Sequence, residues 1–169
     1  ISVFGTGQWG SVMAQVLSDA GNHVLMWGRN QSVVDEINQS HTNLKYLDKN
    51  ILPTGLRATT DIAEAFDYSS IYVLAVPAQS LRENLKAWKA LATPNALYIS
   101  TLKGIEVSTQ NRMSQIIEEV LATKNVAVIT GPNLANELVL RQPAGAVAGA
   151  PTMALAEKVQ QLFATPYYR

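Results

Sequence analysis

The chain has 169 residues, 47% hydrophobic and 15% charged, with thirteen Lys and Arg against thirteen Asp and Glu. That balance excludes a disordered polar chain and gives no net-charge footprint for nucleic acid or an anionic membrane. With no cysteine, disulfides, thiolate catalysis and Cys-ligated zinc are excluded as well.

Taken in chain order, short apolar runs alternate with segments of helical period. Ile1 to Phe4 reads as a buried strand ending at Gly5. Trp9, Val12, Met13, Val16 and Leu17 then share one helix face, with Gly21 as the stop. His23 to Trp27 is the next strand and Gln31 to Gln39 a short helix. His41 to Gly55 reads as a loop, and Arg57 to Thr59 as a short strand. Asp61-Ile62-Ala63-Glu64 has the form of a capping box at a helix start. Ile71 to Val76 is the strongest strand signal, stopped by Pro77. Leu81, Leu85 and Trp88 mark a helix and Ala96 to Ser100 a strand. Met113 to Leu121 forms a helix with Ser108 as its expected N-cap. Val126 to Ile129 is a strand broken by Gly131-Pro132, Ala144 to Ala148 a small-residue strand, and Thr152 to Phe163 a last helix.

Such alternation predicts an α/β fold with a mainly parallel sheet covered on both faces. In such a sheet, ligands bind beyond the carboxyl ends of the strands. Five segments fall there. Gly5-Thr6-Gly7-Gln8-Trp9-Gly10 is a G-x-G-x-x-G between the first strand and the first helix. Gly5 permits the turn, Gly7 lets backbone approach a pyrophosphate, and Gly10 allows close helix–strand packing. The alternative is a Gly-rich turn with no ligand. After the second strand, Trp27-Gly28-Arg29-Asn30 lacks the Asp or Glu that would hold ribose hydroxyls and repel a 2′-phosphate. Arg29 supplies a phosphate-matching cation instead, which favours NADP(H) or tolerance of both cofactors. A solvated surface arginine is the competing reading, and Asp35 and Glu36 read as a solvated face. Pro77 ends the central strand as a platform or a plain turn. Lys103-Gly104 could reach an anionic or polar substrate, although as an isolated feature it reads better as a surface lysine. Gly131-Pro132 reads as a strand end with Pro at the first helical position, free backbone N–H groups facing the sheet top.

Neither His23 nor His41 has a visible partner, so no metal site is expected. The longest apolar run, Ile71 to Ala78, is too short to insert in a membrane. No signal peptide is visible, and a cytoplasmic location is the default expectation. The chain starts at Ile1 rather than Met and reads as an excerpt of a longer protein.

These pieces together resemble the N-terminal domain of NAD(P)-dependent glycerol-3-phosphate dehydrogenase of the bacterial type. The carrying residues are Gly5 to Gly10, Trp27 to Asn30, Asn43 to Leu47 with Leu52-Pro53, Ala75-Val76-Pro77, Lys103 to Glu106, and Gly131 to Glu137. The resemblance implies a Rossmann-type doubly wound sheet over residues 1–169. It also implies reduction of dihydroxyacetone phosphate to sn-glycerol 3-phosphate, which feeds glycerophospholipid synthesis. By motif position, Gln8, Trp9, Arg29, Asn30, Tyr46 and Ala135 would contact NADP or NAD, with NADPH slightly favoured. Gly5, Gly7, Gly10 and Pro77 complete the expected cofactor set. Lys103, Gly131 and Asn133 would contact substrate, Lys103 also lying near the nicotinamide as the catalytic candidate. Asn133 stands where bacterial members usually carry Ser, and Leu47-Asp48 replaces their Leu-Pro. The family's principal catalytic lysine and its substrate-phosphate arginine are expected beyond Arg169, in a helical domain, with a homodimer of the longer enzyme left open. Residues 1–169 alone are therefore expected to bind cofactor without turning over substrate. A ketopantoate or hydroxyacid reductase and a non-catalytic NAD(P)-sensing module are the competing assignments.

Overall fold

A computed structural model describes residues 1–93 and 95–169. The chain runs β1 (Ser2–Phe4), α1 (Gln8–Asp19), β2 (Leu25–Trp27), α2 (Gln31–Ser40), α3 (Leu44–Leu47), β3 (Arg57–Thr59), α4 (Ile62–Asp67) and β4 (Ile71–Leu74). It continues through a 3₁₀ turn (Ala78–Ser80), α5 (Leu81–Trp88), β5 (Leu97–Ser100), α6 (Met113–Leu121), β6 (Val126–Thr130), α7 (Ala135–Leu138), β7 (Val147–Gly149) and α8 (Met153–Phe163). These strands form one seven-stranded sheet in the order β3-β2-β1-β4-β5-β6-β7, parallel except for β7. After β3 the chain crosses back to lay β4 on the other side of β1. The order of the strands therefore reverses between β1 and β4, where a crevice opens at their carboxyl ends.

Alternation along the strands sends neighbouring side chains to opposite faces. Val3, Met26, Val73 and Ile99 join one buried cluster with α1, α2 and α8. Phe4, Trp27, Tyr72, Leu74 and Tyr98 join the other, under α4, α5 and α6. The second cluster is dense in aromatic rings. Phe4 lies 4.8 Å from Phe66 and 5.3 Å from Trp88, centroid to centroid, and Trp27 meets Trp88 edge-on at 5.1 Å. Each such pair contributes about 0.5–1.5 kcal/mol beyond its buried area. On the first face, α1 is buried at every position from Gly10 to Leu17. Two of those positions are polar, Ser11 and Gln15. Gln15 donates to the carbonyls of Leu138 and Val139, which satisfies its amide N–H groups against the end of α7.

The structure corrects several local expectations. The strand expected over His23–Trp27 is shorter, and the His23 carbonyl instead accepts from the Ile1 ammonium at 2.7 Å. The segment read as a loop from His41 to Gly55 contains α3, and its ends close on each other through Leu52 N–H to the His41 carbonyl. Asp61 caps α4 by accepting from the Ala63 and Glu64 N–H groups, but Glu64 turns to Arg57 rather than back to the cap. Ser108 caps nothing. The helix it was expected to start begins at Met113, where Gln115 accepts the Arg112 N–H. Pro132 is not at a first helical position, because α7 starts only at Ala135. β7 is antiparallel to β6 because the four-residue α7 is too short to carry the chain back along the sheet. Ala144, expected in that strand, pairs with the Tyr167–Arg169 segment.

Three backbones meet at the end of β1. Gly5 has φ +131°, and a Cβ there would lie 2.5 Å from the Ala75 carbonyl oxygen. A Cβ on Gly10 would lie 2.1 Å from the Gly5 carbonyl oxygen. Helix α1 therefore rests directly on the strand it follows. Gly10→Ala is expected to destabilise the fold by about 1–3 kcal/mol, the usual cost of overpacking. Urea unfolding measures it, and an unchanged midpoint would contradict the packing described.

Candidate functional site

The crevice has a volume of about 990 Å³ and lies over the carboxyl ends of β1, β2, β4 and β5. That is the upper end of the range for small-molecule and cofactor sites, roughly 300–1,000 Å³. Gly5, Gly7, Gln8 and Trp9 line its floor, while Gly10 lies beneath, packed on Gly5. Gly7 is the N-cap of α1, and a Cβ on it would meet nothing within 4 Å. No side chain caps the helix, and its first turn carries no acid. Its free N–H groups and the positive end of its dipole therefore favour an anion at this point.

Two side chains without an assigned role in the sequence hold this floor in place. Asn43, fully buried, donates from Nδ2 to the Thr6 carbonyl at 2.9 Å and to Ser11 Oγ at 2.8 Å. It thereby fastens the segment carrying Tyr46, another lining residue, to the glycine turn. Asn136 accepts a hydrogen bond from Gln8 Nε2 at 2.8 Å and ties the start of α1 to α7. Glu36 also departs from its reading as a solvated face. It accepts from Thr42 Oγ1 and from the Leu44 N–H, fixing the entry to the Tyr46 segment.

At the end of β2, Arg29 is exposed and lines the crevice. Asn30 also lines the crevice and caps α2, its Oδ1 accepting from the Ser32 N–H and hydroxyl. Pro77 lines the crevice just ahead of the 3₁₀ turn, whose Ser80 donates back to the Pro77 carbonyl. Lys103 is exposed on the far side, with its Nζ 5.5 Å from the centre of the Trp9 ring. At that distance the ring face attracts the ammonium across the crevice. Asn133, buried, and Ala135, half-buried, complete the lining. Gly131 does not reach it: a Cβ there would lie 2.7 Å from the Gly145 carbonyl oxygen and 2.8 Å from Asn133 Nδ2, so this glycine lets the two segments approach.

The segment after β5 is held by side chains from the other side of the crevice. Gln79 donates to the Ile105 carbonyl at 2.8 Å and accepts the Val107 N–H at 3.0 Å. Arg82 on α5 pairs through two nitrogens with Glu106, at 2.8 and 2.9 Å, and likewise with Glu119 on α6, at 2.8 and 3.0 Å. Thr109 donates a further hydrogen bond to Glu106. Hydrogen bonds from the Arg82 guanidinium hold both carboxyls below their ordinary range, and the carboxylates raise the guanidinium in turn. The sequence shows Glu106 only as part of a run with Lys103; its partner lies 24 residues away. Among the described residues no group of three or more His, Cys, Asp or Glu side chains is placed to hold a metal ion, and no helix is long and apolar enough to cross a membrane.

Comparison with known proteins places this geometry. The family described as "NAD-dependent glycerol-3-phosphate dehydrogenase N-terminus" matches residues 1–156. The chain is 46% identical over 171 residues to a glycerol-3-phosphate dehydrogenase [NAD(P)+] of Corynebacterium jeikeium, covering 100% of this chain and 52% of the relative. It is 44% identical over 170 residues to that of Streptomyces coelicolor, covering 99% and 51%. A solved structure of Plasmodium falciparum glycerol-3-phosphate dehydrogenase superposes with a TM-score of 0.92 at 28% identity, over 100% of this chain and 50% of that one. The chain thus spans about half the length of the relatives it matches.

The clamp around Glu106 should respond to pH. Carboxyls held below their ordinary value contribute stability that is present above about pH 4.3 and lost as pH falls through their lowered values. Arg82→Met is therefore expected to be less stable than the parent at neutral pH, with the difference closing in acid. Unfolding midpoints measured from neutral pH down to acid check this, and a difference independent of pH would contradict it.

Proposed function

The chain belongs to the NAD-dependent glycerol-3-phosphate dehydrogenase family, and on that premise we propose that its crevice binds a nicotinamide dinucleotide for the reduction of dihydroxyacetone phosphate to sn-glycerol 3-phosphate. The observation that carries this reading is the open space at Gly7, before an uncapped helix at the point where the strand order reverses. Such a cradle fits a pyrophosphate through backbone N–H groups. When bound, the reduced nicotinamide supplies the hydride.

The chain's own residues would then divide the work. Gly7 leaves room for the pyrophosphate, and Arg29 faces the adenosine end of the crevice. With no carboxylate at the end of β2 and a guanidinium in its place, the site favours NADPH slightly over NADH. A carbonyl that accepts hydride develops negative charge on its oxygen, which needs a cation or proton donor beside it. Lys103 is the lining cation on the side away from Arg29, and its place over Trp9 keeps its ammonium at the crevice. Asn133 offers an amide to the same substrate. Residues 1–169 would act as one cofactor-binding domain.

Calorimetric titration with both nucleotides tests the cofactor half of this reading. Arg29→Ala is expected to weaken NADPH roughly ten-fold or more, the scale of one charge-assisted pair, and to leave NADH nearly unchanged. An equal loss for both would place Arg29 in the adenine pocket or the fold. Gly7→Val is expected to stay folded and to lose both nucleotides, since its added atoms enter ligand space. For the reaction itself, an enzyme carrying these residues together with the remaining length of its relatives should oxidise NADPH only when dihydroxyacetone phosphate is added. Nucleotide binding without that dependence would refute the substrate.

A further inference from the structure

The end of β2 is where a dinucleotide site of this fold most often carries the carboxylate that holds ribose hydroxyls. Here the position is Gly28, and its backbone does not explain the glycine. Gly28 is not among the residues with positive φ, so the main chain would accept any side chain. Thr6 is what forbids one. A Cβ built on Gly28 would lie 2.2 Å from Thr6 Oγ1, 2.5 Å from Cγ2 and 2.9 Å from Cβ. Rotating the threonine about χ1 moves the first two atoms but not the third.

Nor can the Thr6 backbone move aside freely. Its carbonyl accepts from the fully buried Asn43, which is also bonded to Ser11. Thr6 itself is only 9% exposed. The Gly28 N–H is in turn bonded to the Thr59 carbonyl, at 3.1 Å, so a retreat of the strand end would stretch that bond.

We propose that Thr6 is a specificity-determining residue: it fills the volume that a side chain at position 28 would need, and so keeps a carboxylate out of the adenosine end of the crevice. The consequence is a site that does not repel a 2′-phosphate, with Arg29 next in sequence to attract it. Selectivity is then set in two steps, an exclusion enforced from the glycine turn and an attraction supplied from the end of β2. This inference rests on the reading of the crevice as a dinucleotide site.

The test compares Gly28→Asp, Thr6→Gly and the double variant Thr6→Gly/Gly28→Asp by calorimetric titration with NADH and with NADPH. Gly28→Asp alone should weaken both nucleotides at least ten-fold, because the strand end and the turn must separate. The double variant should recover NADH binding to within a few-fold of the parent while NADPH stays at least ten-fold weaker. Failure of the double variant to improve on Gly28→Asp for NADH would overturn the proposal, as would parental NADH binding by Gly28→Asp alone. Should the aspartate prevent folding, Gly28→Ala supplies the same test in urea: it should destabilise the parent and be tolerated in the Thr6→Gly background. An equal loss in both backgrounds overturns the steric pairing. A parent chain that binds neither nucleotide overturns the reading of the crevice and this proposal with it. Parental binding combined with an unchanged NADH-to-NADPH ratio in the double variant overturns this proposal alone.

Discussion

Everything in the crevice depends on how closely three stretches of main chain approach at the end of β1. Gly10 lies on the Gly5 carbonyl, and Gly5 on that of Ala75. Side chains at these positions would lift α1 away from the sheet. The open end of the helix would then face solvent rather than the gap between β1 and β4. The dipole and the unpaired N–H groups matter only because of this placement, since such fields fall off within a turn of the helix.

The walls are made differently. Besides packing on the core, several wall segments are fastened by polar side chains reaching across the chain. Asn43 ties the Tyr46 segment to the floor, Gln8 and Asn136 join α1 to α7, and Gln79 with Arg82 grips the segment after β5. Such ties define position more than they add stability, because nearly buried charges lose hydration in forming them. Arg82 and Glu106 expose only 16% and 8% of their side chains, yet their partners are matched fork to fork. The surface of the crevice thus inherits its precision from residues that do not themselves face it.

The same division explains what the sequence could and could not reveal. The glycine turn, the strand ends and the amphipathic helices are local patterns, so their spacing is visible in one dimension. Lys103 and Asn133 took their roles from the family resemblance, whereas Arg29 could be picked out because it follows the end of β2. Asn43, Asn136 and Arg82 could not, because their partners are distant in sequence and their composition resembles any polar surface. Glu36 looked solvated for that reason. The short helix α3 escaped notice because four residues carry no period. The antiparallel direction of β7 was not legible because nothing local says how far α7 carries the chain. The crowding of Gly28 by Thr6 was not legible either, because the sequence shows at position 28 only a missing carboxylate, whereas the atoms that crowd it belong to the turn after another strand.

The aromatic packing under the sheet has a spectroscopic consequence. The chain has three tryptophans. Trp9 and Trp27 line the crevice, and Trp88 meets Trp27 ring to ring within the core. The indole emission of the chain therefore originates at, or one ring away from, the place where a ligand would sit. A reduced nicotinamide absorbs where indole emits, so its arrival would drain that emission by energy transfer. Occupancy can be followed optically on the unlabelled protein, with excitation at the red edge of the absorption band selecting these three indoles over the six tyrosines.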